Sequence, residues 1–367
     1  QSHAEGVGAN SALKAISLDV TADGVAGSGD LSGAGTLTVQ VIDDLPVIVA
    51  TGNVLDAIQV AETNFVTLAS ANYSTAFSPD FGADGDAAAN SIVYSLAVSN
   101  ASSGLFDAAT SEAINLVLNG GSIEGRTATS DDLAFTISVD AANGNVSLEQ
   151  SRAIKHSDAN SPNDVATLAS NSINLVATAK DGDADTATAS VAIGGKFSFT
   201  DDGPEIGAAP AALTVDEQHL VGGSNPTPVN TSVSADLNVD FGADEAGSLT
   251  FTADQSALQA LLTASGNFDI DFSVNGNTLT ATRNAGVDSV FTVTLAVDVN
   301  GQASYTFELE GSMKHIINDS HELTFSYQAT DGDDDAATGT FAVKVIDDAP
   351  LAVANTDSVT EDAATPA

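Results

Sequence analysis

The sequence predicts an all-β protein made of tandem antiparallel β-sandwich repeats, and three observations carry that expectation. Apolar residues alternate in short runs such as LAFTISVD, VFTVTLAVDV, ASYTFELEG and GTFAVKVID, broken by Gly, Asn and Asp. This is the period-2 pattern of half-buried strands between turns. Three runs end alike, as TVQVIDDLP, KFSFTDDGP and AVKVIDDAP, each closing in D-D-x-P. Two acidic stretches upstream of those ends match as well, INLVATAKDGDADTATASVAIGG at 173–195 and LTFSYQATDGDDDAATGTFAVKV at 323–345. Self-similarity of this kind marks a repeat architecture.

The repeats divide the chain. Residues 1–46 read as the C-terminal part of a preceding repeat, because LKAISLDVTADGVAGSGD leads through GAGTLTVQ to VIDDLP. Half a sandwich closes no core, so either its complement lies upstream or its strands pair elsewhere. Residues 47–204 and 205–350 are two full repeats, each with a DFGAD stretch at 80–84 and 240–244 ahead of a strand-like run. Residues 351–367 begin another. One segment breaks the β pattern: in DQSALQALLTA at 254–264, Asp254 can cap a short helix whose Leu258, Leu261 and Leu262 share a face. It reads as a crossover covering the core.

Composition narrows the function. Nine Lys plus Arg stand against 50 Asp plus Glu, a net charge of −41. Nucleic acid is excluded as a partner, since phosphate binding needs clustered bases. Disorder is excluded too, because 43% of residues are hydrophobic and the mean hydropathy is +0.10. Cysteine is absent, so disulfides contribute nothing. No run of 18 apolar residues implies membrane insertion in this segment, and the first residues lack a signal peptide, so any export signal is expected outside it.

The acidic loops point to a cation. Asp181, Asp183 and Asp185 alternate in KDGDADT, and Asp331, Asp333 and Asp335 in TDGDDDA. Two carboxylates about 4 Å apart repel by roughly 4 kcal/mol at an effective dielectric near 20, so three converging on one point call for a counter-charge. Oxygen-only ligands suit Ca2+. These are not EF-hands, whose sixth and twelfth positions are Gly and Glu; here they are Thr186 or Ala336 and Ala192 or Ala342. The competing reading is a solvated turn, since Asp and Gly favour turns anyway. A fainter copy surrounds Asp23 and Asp30.

Each D-D-x-P adds two more carboxylates: Asp43 and Asp44, Asp201 and Asp202, Asp347 and Asp348. A glutamate follows each in turn, Glu62, Glu217 (beside Asp216) and Glu361. Proline fixes φ and stiffens its predecessor, so an acidic loop, a D-D pair and the next glutamate are expected to converge on calcium at a stiff joint between consecutive repeats. Lys155-His156 and Lys314-His315 recur ahead of the acidic loops, as neighbours of a calcium site or as structural hydrogen-bond partners.

SIEGRTATSDDLAFTISVDAANGNVSLEQSRAIKHSDANSPND followed by DGDADTATASVAIGGKFSFTDDGP resembles the type I secretion target repeats and related repeats-in-toxin modules of giant bacterial surface adhesins. DFGADEAGSLTF through TDGDDDAATGTFAVKVIDDAP resembles a sister type. The G-G-x-G-x-D nonapeptide of the toxins is missing; GVAGSGDLSGAG is a weak echo. The resemblance implies Ig-like or cadherin-like modules with calcium-binding loops and linkers, exported to the bacterial cell surface. It implies a calcium-stabilised extender that projects a ligand-binding tip for adhesion or biofilm formation, with neighbouring repeats as partners.

The alternative is a calcium-dependent module that itself binds host or cell-surface glycans or peptides. No Trp and only Tyr73, Tyr94, Tyr305 and Tyr327 argue against a sugar-stacking platform. No nucleophile elbow, zincin helix or phosphate loop appears, so no enzyme is expected. Ile123–Arg126 spells a protease recognition tetrapeptide by coincidence.

Overall fold

A computed structural model describes residues 14–22, 33–41, 44–158, 161–227, 229–316, 318–350 and 352. The chain separates into two compact units. One comprises Gln1–Asp158 with Pro162–Asp202, the other Ala159–Ser161 with Gly203–Ala367. Asp23, Asp30, Asp43 and Glu361 lie outside the described residues.

In the first unit a six-stranded antiparallel sheet runs in the spatial order Ala69–Asn72, Asn145–Gln150, Leu133–Val139, Ser122–Thr127, Ala113–Asn119, Ser102–Phe106. Its core side chains join those of two three-stranded sheets, one centred on Ile173–Lys180 and one on Phe197–Thr200, in a single apolar cluster where Phe135 lies 5.1 Å from Phe199. Strict alternation makes the layers: Ile173, Leu175, Ala177 and Ala179 are buried, and the residues between them are half-exposed. The protease-like tetrapeptide lies inside Ser122–Thr127, paired on both edges, and a Cβ on Gly125 would stand 2.4 Å from the Phe135 ring.

The second unit opposes a five-stranded sheet, Ser232–Asp236, Ala303–Leu309, Asp288–Val297, Thr278–Arg283, Asp271–Asn275, to a four-stranded one, Leu213–Asp216, Ala336–Ile346, Ser320–Asp331, Ala246–Phe251. Phe291 stacks on Phe307 at 5.3 Å and Tyr305 on Phe341 at 4.1 Å, and Phe325 touches all but the tyrosine. The one α-helix among the described residues is Ser256–Ala264. It starts two residues later than its sequence suggests, with the Asp254 carboxylate accepting Ser256 N at 3.0 Å, and buries Leu258 and Leu262 as it crosses from one sheet to the other.

The sandwiches are not wholly antiparallel. Ile58–Ala61 pairs parallel with Phe197–Thr200, and Leu213–Asp216 parallel with Ala336–Ile346. Each unit thus lays an early strand, Ile58–Ala61 or Leu213–Asp216, beside its closing strand, both running toward the same end. Local alternation shows that these segments are strands but says nothing of which partner they take.

Lys14–Ala22 and Gly33–Val41 form a separate two-stranded antiparallel hairpin. Leu18 faces Leu37 and Val20 faces Gly35 across it, in the register by which Phe325 faces Phe341 and Tyr327 faces Gly339 in the second unit.

Phe325 sits at the centre of its aromatic cluster, so Phe325→Ala should lower unfolding free energy by about 3–5 kcal/mol, read as a lower urea midpoint with unchanged slope.

Candidate metal centres

The two acidic loops are built alike. Each closes a hairpin, Lys180 pairing with Thr186 and Thr330 with Ala336. Asp181 N donates to Asp185 O and Asp331 N to Asp335 O, both at 3.1 Å. In return Asp181 Oδ1 accepts Asp185 N at 2.8 Å, and Asp331 Oδ1 accepts Asp335 N at 2.9 Å. Ala184 and Asp334 turn the chain at φ 88° and 85°. The alternate aspartates therefore gather on one side, and carboxylate oxygens of Asp181, Asp183 and Asp185 lie within 4.8 Å of one another.

Asp181 and Asp331 are each 1% exposed. Asp181 Oδ2, both oxygens of Asp183 and Asp331 Oδ2 are shut from solvent and find no N–H or hydroxyl donor. Buried polar atoms are nearly always satisfied, and these are acceptors that only a cation or a proton satisfies. Burial, then the Asp333 charge, pushes the Asp331 carboxyl up to about 7; burial likewise raises Asp181. Oxygen ligands alone, several of them charged, make a group able to coordinate a divalent cation.

The DFGAD stretches complete this pole of each unit. A Cβ on Gly182 would lie 2.4 Å from Asp84 O, and one on Gly332 2.2 Å from Asp244 O. Glycine inside D-G-D is thus what lets the loop lie against DFGAD, and in the first unit Gly182 N donates to Gly85 O at 2.9 Å. Asp244 is 1% exposed. Asp44, from the first D-D-x-P, accepts Ala83 N at 2.8 Å. In the sequence DFGAD marks only where a repeat begins; its contact with D-G-D is what places Asp84 and Asp244 here.

The other pole is different. The parallel pairing delivers Glu62, just past Ala61, to Asp201, just past Thr200, and His156 joins them. In the second unit Glu217, His315 and Asp347 form the same group. Glu62 therefore keeps company with the closing aspartate of its own unit, whereas Asp44 docks on the DFGAD loop. The strand Ala336–Ile346, 11 residues long, separates the two poles of the second unit by roughly 36 Å at about 3.3 Å per residue.

His156 Nδ1 lies 3.2 Å from Asp201 Oδ1, and its Nε2 lies 3.2 Å from Phe199 O. Burial opposes a charged ring here, but the Asp201 hydrogen bond and the Asp201 and Glu62 charges outweigh it and raise His156 to about 9. Burial pushes Glu62 up to about 8. The repeated Lys-His pair marks these histidines in the sequence, but nothing local shows that they meet a glutamate following an early strand.

Among the other candidates, Asp202 joins Glu62 and Asp201 in an all-carboxylate group, and Asp216 and Asp348 are held by backbone N–H groups. Asp216 caps a short 3-10 helix, its Oδ1 accepting Gln218 N at 3.0 Å. Asp348 accepts Ser224 N at 2.8 Å. Asp202 is half-buried directly after Asp201. All four tyrosines are buried.

Residues 57–194 match a family model described as a domain of unknown function (DUF5801). No curated protein matches the sequence. Among solved structures the chain is similar to protocadherin gamma B2 extracellular cadherin domains 3–6, with 13% identity over 91% of this chain and 57% of that one and a TM-score of 0.26. It is also similar to mouse clustered PcdhgC3 EC1–3, with 14% identity, 92% and 78% coverage and a TM-score of 0.25. Drosophila N-cadherin EC1–4 gives 12% identity, 91% and 58% coverage and 0.25. The chain spans about half the length of the first two protocadherin structures it matches.

Two outcomes follow. Gly332→Ala forces a methyl onto Asp244 O, so overpacking should cost about 1–3 kcal/mol, read as a lower melting temperature, whereas Gly286→Ala, with open space around it but φ 89°, reports the cost of backbone strain alone. The pH dependence without divalent cations has a definite sign. Asp331, Glu62 and His156 are all raised above their ordinary values of 3.8, 4.5 and 6.5, so the folded state binds protons more tightly than the unfolded one. Their contribution is complete at low pH and is lost as pH rises through about 7, 8 and 9. Carboxylates held low by hydrogen bonds, such as Asp254, act below this window. Melting temperature in chelator should therefore fall from pH 5 to pH 9; a rise across that range contradicts the assignment.

Proposed function

We propose that the chain is a calcium-stabilised structural repeat region of a large secreted bacterial adhesin, a non-catalytic spacer at the cell surface that carries a ligand-binding tip. The observation that supports it most is the donorless, solvent-free carboxylate oxygen at matching positions of both D-G-D loops, Asp181 Oδ2 and Asp331 Oδ2. Burying such atoms twice, in the same loop geometry, supports a fold organised around cations. Calcium is assigned to Asp181, Asp183 and Asp185, and to Asp331, Asp333 and Asp335, with Asp84 and Asp244 beside them. The absence of cysteine leaves ion binding as the means of tightening these small sandwiches outside the cell.

Residues 1–46 belong to this scheme as the closing part of a further repeat. Leu18, Leu37 and Val39 are 54%, 55% and 44% exposed, while their register counterparts Phe325, Phe341 and Val343 are buried. The hairpin has the pattern of a covered element. The glycan-binding alternative gains little, because Trp is absent and every tyrosine is in the core.

Calcium binding only the folded state stabilises it by RT ln(1 + [L]/Kd), about 2.7 kcal/mol per site at a hundredfold excess. Excess chelator should lower the melting temperature by many degrees, and an unchanged curve after verified ion removal sinks the proposal. Asp183→Asn with Asp185→Asn keeps shape while removing charge. Calorimetry should show one class of site weakened and recovered at higher calcium; a wild-type titration makes these residues turn formers only.

A further inference from the structure

Outside the D-G-D loops each unit gathers a Glu-His-Asp group, buried in the first and partly buried in the second, and these groups differ in kind from the loops: each contains an imidazole. We infer that Glu62, His156 and Asp201, and likewise Glu217, His315 and Asp347, are binding sites for a transition-metal dication of the zinc class. This goes beyond the calcium assignment and does not rest on it, since the D-G-D loops contain no imidazole.

Three observations carry it. One ligand atom from each residue of either group lies within 4.8 Å of the others, and the closest pairs, His156 Nδ1 with Asp201 Oδ1 and His315 Nε2 with Glu217 Oε1, stand at 3.2 Å, a separation two donors of one tetrahedral ion can take. Glu62, 2% exposed, has its Oε1 fixed by Gln150 Nε2 at 2.7 Å and Ile154 N at 2.8 Å, while its Oε2 is shut from solvent and finds no donor. The ring of His156 is oriented from behind: Nε2 faces the Phe199 carbonyl at 3.2 Å, which leaves Nδ1 directed at the carboxylates. Metal-bound histidines are aligned in this way, with the second ring nitrogen donating to a carbonyl that fixes the tautomer.

The second unit reaches the same arrangement with other parts. Glu217 Oε1 accepts Met313 N at 2.6 Å and lies 3.2 Å from His315 Nε2. The His315 side chain is 1% exposed and stacks at 4.3 Å on His321, whose Nε2 is 3.0 Å from Lys314 O. In both units the backbone N–H two residues before the histidine holds the glutamate. One imidazole with two carboxylates suits zinc, which takes nitrogen and oxygen donors at low coordination number; calcium prefers six to eight oxygens.

The test is calorimetric titration of the metal-free chain with zinc chloride in saturating calcium, so that oxygen-only sites are filled. The expected result is about one zinc ion per unit, with His156→Gln and His315→Gln each weakening one site by 100-fold or more, given that changes merely behind a ligand already cost about 10–100-fold. Glu62→Gln, which keeps an acceptor for Ile154 N, guards against loss of folding in the histidine variants and should weaken the same site with the circular dichroism spectrum unchanged. Cobalt in place of zinc should give visible absorption bands lost in the same variants. The inference is overturned if zinc does not saturate, if none of the variants alters its binding, if calcium competes it away at equal concentration, or if nitrogen NMR shows His156 still doubly protonated at saturating zinc, which would make the group a buried ion pair.

Discussion

Like charge held out of water is the constraint from which the rest of the structure follows. The Asp181 and Asp331 loops place carboxylates together at 1% exposure, with backbone N–H groups satisfying one oxygen of each and nothing satisfying the other. At about 4 Å and an effective dielectric near 20, each pair costs roughly 4 kcal/mol, a large share of the 5–15 kcal/mol that typically separates folded from unfolded domains. Protonation relieves it partly, as the raised Asp331 shows. A dication relieves it more fully and leaves all the oxygens as ligands. The loop is thus shaped so that a dication placed among these oxygens would find its ligands already gathered.

The sandwich turns that local problem into a polar molecule. Because Ile58–Ala61 and Leu213–Asp216 run parallel to the closing strands of their units, the glutamate after the early strand and the aspartate after the closing one arrive together, at the end of the closing strand away from the D-G-D loop. Apolar residues hold the middle, Phe135 with Phe199 in one unit and the Phe291, Phe307, Phe325 and Phe341 cluster in the other. Ionisable groups gather at the two ends, where strands terminate and backbone N–H groups come free to hold carboxylates. With 50 acidic residues and 9 basic ones, bases cannot neutralise these ends, and cations from solution are the remaining counter-charge.

How much of this was legible in the sequence depended on the range of the interaction. The D-G-D hairpins were legible because period-2 runs and an Asp-Gly turn are local; Ile173–Lys180 and Thr186–Ala192 lie where the pattern puts them. The helix was legible from Leu258 and Leu262, and only its first turn was displaced. The partnership of Glu62 with Asp201 was not, because parallel pairing across the whole repeat leaves no local trace, and with it went the role of His156. Asp216 and Glu217 are adjacent and chemically alike, yet one caps a 3-10 helix and the other meets a histidine; only the register of Leu213–Asp216 on Ala336–Ile346 distinguishes them. Gly332 sat in plain view as a turn residue, and only the carbonyl of Asp244 at 2.2 Å from its would-be Cβ shows that it is an approach point.

The central claim, that the D-G-D loops are shaped by a cation they hold, is tested most directly by locating that cation. A crystal grown in calcium, measured at a wavelength where calcium scatters anomalously, should show a peak within about 2.3–2.6 Å of Asp181 Oδ2 and of an Asp183 oxygen, and another at Asp331 Oδ2. Density in which those oxygens bond only to water, or to one another through a shared proton, with no anomalous signal at saturating calcium, would contradict the account.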